Sequence, residues 1–321
     1  MGDHAMDRSS YEDAVRSGSE IDRIIEHAQA VRSGSLKAAS AVASSLMHAA
    51  VIAPERLADA YDDLTEGWTG VRPAATPVSG DGSAPGTLPD DFFPALWAMV
   101  DDPDLGRDPS DITVRTAALA GMLPDDLFRR VAAFAPSWPG VADAASHGIP
   151  ARFELSDIAA CPADSLGGRL HSLVVDDGFD LEVLDRDALG LSGLLPPLDY
   201  LNTRILQCHD VWHEVAGYST TGLHEIAISG FQMAQFGHHY SSMFLAMVTT
   251  TAAYIQPVEG THLLYDTVLT AYRHGRETPP LLGVEWEAIW DQPLDAIRAE
   301  LGVETYASPY PAELLELIRN G

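Results

Sequence analysis

Two long stretches of this chain, 198–216 and 223–255, place apolar residues every three to four positions, and only the six residues GYSTTG lie between them. That period is the mark of a helix burying one face. A connection this short forces the two helices to turn back on one another, so residues flanking it are brought together. Gly217 and the YSTTG that follows read as a helix stop and turn, with Thr220 or Thr221 as the cap of the second helix. The period recurs elsewhere in shorter pieces. Residues 20–70 read as helical, with Ile21, Ile24, Ile25 and Ala28 on one face and Ala39, Val42, Ala43, Leu46 and Met47 on another. Phe92, Leu96, Met99 and Val100 make a further face, as do Leu127, Val131 and Phe134. Helices are also expected over 168–176, 262–274 and 293–301, and no strand alternation runs beyond a few residues. The expected class is mainly α.

Residues 73–90, PAATPVSGDGSAPGTLPD, have no apolar period and read as a flexible linker. This divides the chain into a helical N-terminal extension, 1–72, and a domain over 91–321 that holds the hairpin. Hydrophobic residues make up 46%, enough for a sizeable core. The formal charge is −28, which repels phosphates and anionic lipid headgroups and argues against a nucleic-acid partner. The single lysine, Lys37, lies in a polar N-terminal stretch. Two cysteines, Cys161 and Cys208, make no disulfide framework. A cytoplasmic, reducing setting is the simplest reading. The N-terminus is polar, without the look of a signal peptide, and no apolar run approaches the roughly 20 residues of a membrane span.

The chemistry concentrates at HDVWHEVAGYSTTGLHE, which begins at 209. Each helical residue advances about 100°. His209 and His213 therefore stand one turn apart and about 40° from one another, with Asp210 on the same side, about 60° beyond His213. Glu225 lies near the start of the next helix, and the hairpin brings it to the same place. Two imidazoles and two carboxylates suit a divalent cation, and the carboxylates cancel its charge. Zinc, iron(II) and manganese(II) all satisfy this donor set. A lone His-x-x-x-His on a helix is more often a polar face, so the weight rests on all four residues together. The spacing also resembles the His-Glu-x-x-His of zinc peptidases, but Asp210 is one methylene shorter than the glutamate that acts as base there.

Taken with its flanks, HDVWHEVAGYSTTGLHEIAISGFQMAQFG resembles the metal motif of the family of the fourth coenzyme Q biosynthesis protein: His-Asp-x-x-His, eleven residues, Glu. DSLGGRLHSLVVDDGFD is similar to the family's helix before the motif, and Arg204 fits an arginine that precedes it. AYRHGRETPPLLGVEWEAIWDQPLDAIRAELGV resembles the family's C-terminal part, with Gly275–Arg276, Trp286–Glu287 and Arg298. The likeness is specific from about 160 to 305, weaker from 92 to 160 and absent before 90. It implies a mainly helical ubiquinone biosynthesis protein, peripheral to the inner membrane, homodimeric, and working with other proteins of that pathway. The implied activity is oxidative removal of the ring carboxyl of a prenylated hydroxybenzoate, with hydroxylation at that carbon. The alternatives are a non-catalytic scaffold binding an isoprenoid lipid around a structural metal, and a metal hydrolase. Three departures stand out: about 90 extra N-terminal residues, the strong acidity, and Leu206 where a second arginine often occurs.

No catalytic acid or base is assigned. Arg276 and Arg298 are the candidates to hold a substrate carboxylate, because a guanidinium pairs with one in a fork. Phe231 and Met243 belong to a run of Met and aromatic residues that reads as core or as the lining of an isoprenoid channel. Gln232 and Gln235 are candidate donors near Glu225. His224 points away from the motif and reads as a capping residue, and Trp212 as packing. His238 and His239 are either surface residues or substrate contacts.

Overall fold

The computed structural model describes residues 4–74, 86–105, 109–176, 178, 181–182, 185–187, 189–255 and 257–320. Most of the expected linker, 75–85, lies outside these. Among the described residues the chain is helical throughout and has no strand. The helices are α1 (Arg8–Ser17), α2 (Ile24–Arg32), α3 (Leu36–Val51), α4 (Leu57–Thr69), α5 (Phe92–Val100), α6 (Pro109–Ala120), α7 (Asp125–Phe134) and α8 (Val141–Ala145). They continue with α9 (Leu155–Ile158), α10 (Leu166–Val175), α11 (Leu198–Ala216), α12 (Gly222–Phe236), α13 (His239–Ile255), α14 (Val258–Glu277), α15 (Leu294–Leu301) and α16 (Leu314–Asn320). No helix among the described residues is long and apolar enough to cross a membrane.

The stretch 223–255, periodic from end to end, is two helices. Gly237 takes a left-handed φ of 61° and its N–H caps Met233 O, which ends α12 before α13 begins. Helices α12 and α14 cross at backbone distance. A Cβ on Gly230 would lie 2.8 Å from Val268 O, and one on Gly275 would lie 2.7 Å from Phe231 O. Each glycine is there because a side chain would hold the helices apart.

The N-terminal segment is helical as expected, but it does not stand off the rest. Every residue of α3 from Ala38 to Val51 is buried, and α3 packs along α13. Small side chains permit this close approach. The buried hydroxyls of Ser44 and Ser45 return to Ala41 O, both at 2.9 Å, so they need no outside partner. Polar bonds fasten the two parts across the core. Tyr11 meets Thr250 at 2.7 Å, Trp68 donates to Asp266 at 2.8 Å, and Tyr272 donates to Asp62 at 2.7 Å. One contiguous hydrophobic core contains residues from α1–α4 and from α11–α14 alike. Sequence periodicity shows that a face is buried, not what covers it, and here the cover comes from the N-terminal helices.

Candidate metal centre

Helix α11 ends at Gly217, whose φ of 78° turns the chain and whose N–H bonds to His213 O. This puts His213 in the last turn of α11 and Glu225 in the first turn of α12. A helix N-terminus favours an anion, so Glu225 sits at the end that suits its charge. The four motif residues meet. One donor atom each from His209, Asp210 and His213 falls within 4.8 Å of the others. Glu225 closes the group, with Oε1 3.3 Å from His213 Nε2 and Oε2 3.7 Å from His209 Nε2. His209 Nδ1 lies 3.2 Å from Asp210 Oδ1.

Burial grades across the site. The His213 side chain is 2% exposed and Asp210 8%, whereas His209 is 25% and Glu225 38% exposed, so the cluster opens to solvent on one side. His213 Nδ1 lies 3.1 Å from Ser219 O and 3.3 Å from Tyr218 O. Two carbonyls there require that nitrogen to carry a proton, which turns Nε2 toward Glu225 Oε1, 3.3 Å away. Nε2 is buried and has no hydrogen bond of good geometry. A buried ring nitrogen without a well-formed partner is costly, and a cation held between it and the carboxylates removes the cost. Nδ1–H on a carbonyl is also the usual way a metal-binding histidine is oriented. The donor set therefore fits a divalent cation. Burial drives the His209 pKa down, but the bond to Asp210 and the charge of Glu225 outweigh it and leave it raised. Burial would raise Glu225, and His213 and His209 outweigh that and leave it lowered.

The other residues singled out from sequence lie elsewhere. Phe231 and Met243 are both 0% exposed and belong to the core, Phe231 between Tyr218 and His274, so neither offers surface to an apolar tail. Arg276 is buried, 3.4 Å from Asp62 Oδ2, and also bonds Ala74 O. Arg298 donates to Val215 O at 3.1 Å, Glu214 O at 2.7 Å and Asp295 at 3.0 Å. Both guanidinium groups are thus committed within the protein rather than offered to a substrate carboxylate. Arg204 holds Val284 O at 2.7 Å and Glu287 at 2.7 Å, fixing the 284–287 turn on α11.

Gln235 clamps Gly275 O, Thr278 O and Leu281 N and does not serve the site. His238 is buried and bonds Ser241 at 2.9 Å, while His239 bonds Ala50 O at 2.9 Å, so neither is a surface residue. His224 caps as expected, accepting from Ser219 N at 2.9 Å. Trp212 packs against Phe236 with ring centres 4.8 Å apart. Cys208 is fully buried, which pushes its thiol up to about 12. Thr221 is the N-cap residue of α12, but its side chain does not cap. It donates to Ala312 O, and Glu316 Oε1 accepts from Gly222 N at 2.9 Å in its place. Sequence reasoning missed Glu316, Tyr306 and His274. They lie far along the chain from the motif and belong to no spacing pattern with it.

Residues 153–307 match the family model described as "Coenzyme Q (ubiquinone) biosynthesis protein Coq4". A curated relative from Drosophila ananassae, "Ubiquinone biosynthesis protein COQ4 homolog, mitochondrial", is 30% identical over 46% of this chain and 53% of its own length. The homologue of the same name from Drosophila pseudoobscura pseudoobscura is 31% identical over the same shares. The chain thus spans about half the length of these relatives. A crystal structure from Nostoc punctiforme, provisionally described as a ubiquinone biosynthesis protein, superposes with a TM-score of 0.50 over 68% of this chain and all of its own, at 24% identity. That likeness concerns the fold. Residues 153–307, which contain the whole His209–Glu225 cluster, are thus similar to the Coq4 family of coenzyme Q (ubiquinone) biosynthesis proteins.

Proposed function

We propose that His209, Asp210, His213 and Glu225 hold one divalent cation, and that the chain uses it in ubiquinone biosynthesis to replace the ring carboxyl of a prenylated hydroxybenzoate by a hydroxyl. The observation that carries the metal assignment is His213 Nε2, buried, without a well-formed hydrogen bond and turned to Glu225 by the carbonyls of residues 218 and 219. The likeness of residues 153–307 to the family supports the pathway and the substrate class. A bound divalent cation supplies Lewis acidity toward substrate oxygens. Asp210 and Glu225 cancel its charge, and Asp210 also orients the His209 ring. His209 and Glu225, the two solvent-facing members, mark the side from which a substrate arrives. Four protein donors leave room for a substrate oxygen in a five- or six-coordinate ion, which favours iron(II) or manganese(II) over tetrahedral zinc. Exchange of carboxyl for hydroxyl releases carbon dioxide and removes two electrons from the ring, so an oxidant has to enter with the substrate. Other enzymes of the pathway, a second copy of the chain and a membrane surface holding the prenyl tail are the partners this reading implies.

A second reading, a lipid-binding scaffold around a structural metal, is favoured by the commitment of Arg276 and Arg298 to protein partners. One experiment separates the two. Protein purified without chelators is analysed for metal, then incubated aerobically with a prenylated hydroxybenzoate carrying 13C at the carboxyl. The proposal expects about one ion per chain, loss of most of it in His209→Ala and Glu225→Ala, and labelled carbon dioxide from the wild type alone. Metal without carbon dioxide supports the scaffold. Equal metal content in all three proteins overturns the site.

A further inference from the structure

The connection between α11 and α12 leaves backbone groups that neither helix satisfies. Several partners of the hairpin come from one distant stretch, 298–316. Arg298 takes Glu214 O and Val215 O, at 2.7 and 3.1 Å. Tyr306 N–H donates to Ala216 O at 2.8 Å. Thr305 fills the space beside Gly217, where a Cβ would come within 2.9 Å of it. Ala312 O receives Thr221 Oγ1 at 2.8 Å, and Glu316 receives Gly222 N at 2.9 Å.

The side chains repeat the pattern. The Tyr306 ring stacks on Tyr218, centres 4.4 Å apart and planes 18° from parallel, and meets His224 at 5.4 Å. Tyr218 OH bonds His274 Nδ1 at 2.8 Å, and His274 Nε2 donates to Glu304 O at 2.7 Å. That carbonyl fixes His274 with its proton on Nε2, so Tyr218 OH is the donor to Nδ1. Tyr218 is thereby held on its face by Tyr306 and at its hydroxyl by His274. Its carbonyl, with that of Ser219, is what His213 Nδ1–H binds.

We propose that residues 298–316 form a strap that positions the metal hairpin, and that Tyr306 is its key positioning residue. Through the Tyr218 ring it fixes the carbonyls that hold His213 in the Nδ1–H form with Nε2 toward Glu225. Tyr306 acts on the cluster through Tyr218, on which it stacks. What matters is the flat ring, because the Tyr306 hydroxyl bonds Thr267 O, at 3.3 Å, outside the hairpin. The proposal rests on the metal reading above for its consequence, but not for its geometry.

The test uses the full chain in wild-type, Tyr306→Phe, Tyr306→Leu and Arg298→Met forms. Zinc affinity is measured by chelator competition, and the cobalt(II)-loaded proteins are compared by their visible absorption. 15N NMR of the histidine rings in metal-free protein gives the tautomer of His213. Loss of a residue that orients a metal-binding histidine weakens binding about 10–100-fold. Tyr306→Leu is expected to lose affinity in that range, to shift the cobalt band and to show mixed His213 tautomers. Tyr306→Phe is expected to restore wild-type behaviour in all three. If Tyr306→Leu does not fold, Arg298→Met, which strips the donors from Glu214 O and Val215 O, is expected to show the same losses to a smaller degree. A folded Tyr306→Leu with wild-type affinity, spectrum and tautomer overturns the strap, as does a wild-type profile in Arg298→Met. A wild type that binds no cation, yet has a single His213 tautomer that Tyr306→Leu scrambles, upholds the strap and overturns the metal reading instead.

Discussion

At the scale of single residues, burial decides the charge of several histidines. His238 has its pKa lowered to about 3, first by burial and then by the neighbouring His239 and His209. His239, His274 and His48 are lowered as well, burial again being the main cause. These rings are neutral in the folded protein, whereas in the unfolded chain they take up protons below about 6.5. Stability from them is fully present above that value and drains away as pH falls below it, in the case of His238 down to about 3. Each such histidine contributes a slope of up to about 1.4 kcal/mol per pH unit in that window. Chemical unfolding of wild type and His238→Gln between pH 7 and pH 4 checks this. The variant is expected to lose less stability on acidification, and parallel curves would assign the titration to other groups. Arg130 offers a second residue-scale test. It is buried, donates to Ile52 O at 2.8 Å, and makes a forked pair with buried Glu55 at 2.6 and 2.8 Å. Removing one partner strands the other, so Arg130→Ala is expected to cost about 3–5 kcal/mol by denaturant titration.

At the scale of helices, the α12–α14 crossing makes the plainest prediction. Gly275→Ala places a methyl 2.7 Å from Phe231 O and 2.8 Å from Ala234 Cβ, both on the facing helix. Overpacking of this kind costs about 1–3 kcal/mol, or roughly 1–5 °C in Tm for a chain of this size. Gly193→Ala, which has open space around it, is the control in calorimetry and is expected to leave Tm unchanged. The helices themselves were readable, because a face buried once per turn writes its period into the residues. Their ends were readable where a glycine does the turning, as at Gly217, and less so at Gly237, where apolar residues resume at once. The four residues of the candidate site could be picked out too, since they lie within seventeen residues of a single hairpin. Their support was not. Tyr218 and Tyr306 meet only because the fold brings them together, and Arg298 caps carbonyls, which carry no side-chain signature. The same holds for Arg276, whose partner Asp62 sits 214 positions away.

At the scale of the whole molecule, the N-terminal helices are part of the core that supports the hairpin. Their removal uncovers the face of α13 that α3 covers, and strands Asp266, Tyr272 and Arg276 without Trp68 or Asp62. A chain starting at Pro89 is accordingly expected to be insoluble or to lack cooperative thermal unfolding by circular dichroism, while the full chain unfolds in one transition. A soluble, cooperatively folding truncation would instead make 1–72 a separable extension, as the Pro- and Gly-rich 73–90 suggests when read alone.

The pairing of Tyr11 with Thr250, 239 positions apart, has a consequence for how the molecule is made. A ribosome adds about 5–20 residues per second. Helix α3, finished at Val51, therefore waits roughly 10–40 s for α13, which begins at His239, to emerge. Throughout that interval its partner face is open to whatever else is in the cell. The sequence of α3, KAASAVASSLMHAAV after its first leucine, is suited to the wait. Alanine and serine leave a nascent surface far less adhesive than leucine or phenylalanine would, and alanine forms helix without help more readily than β-branched residues do. The small side chains that let α3 lie close against α13 in the finished protein thus also keep the unfinished one from finding the wrong neighbour first.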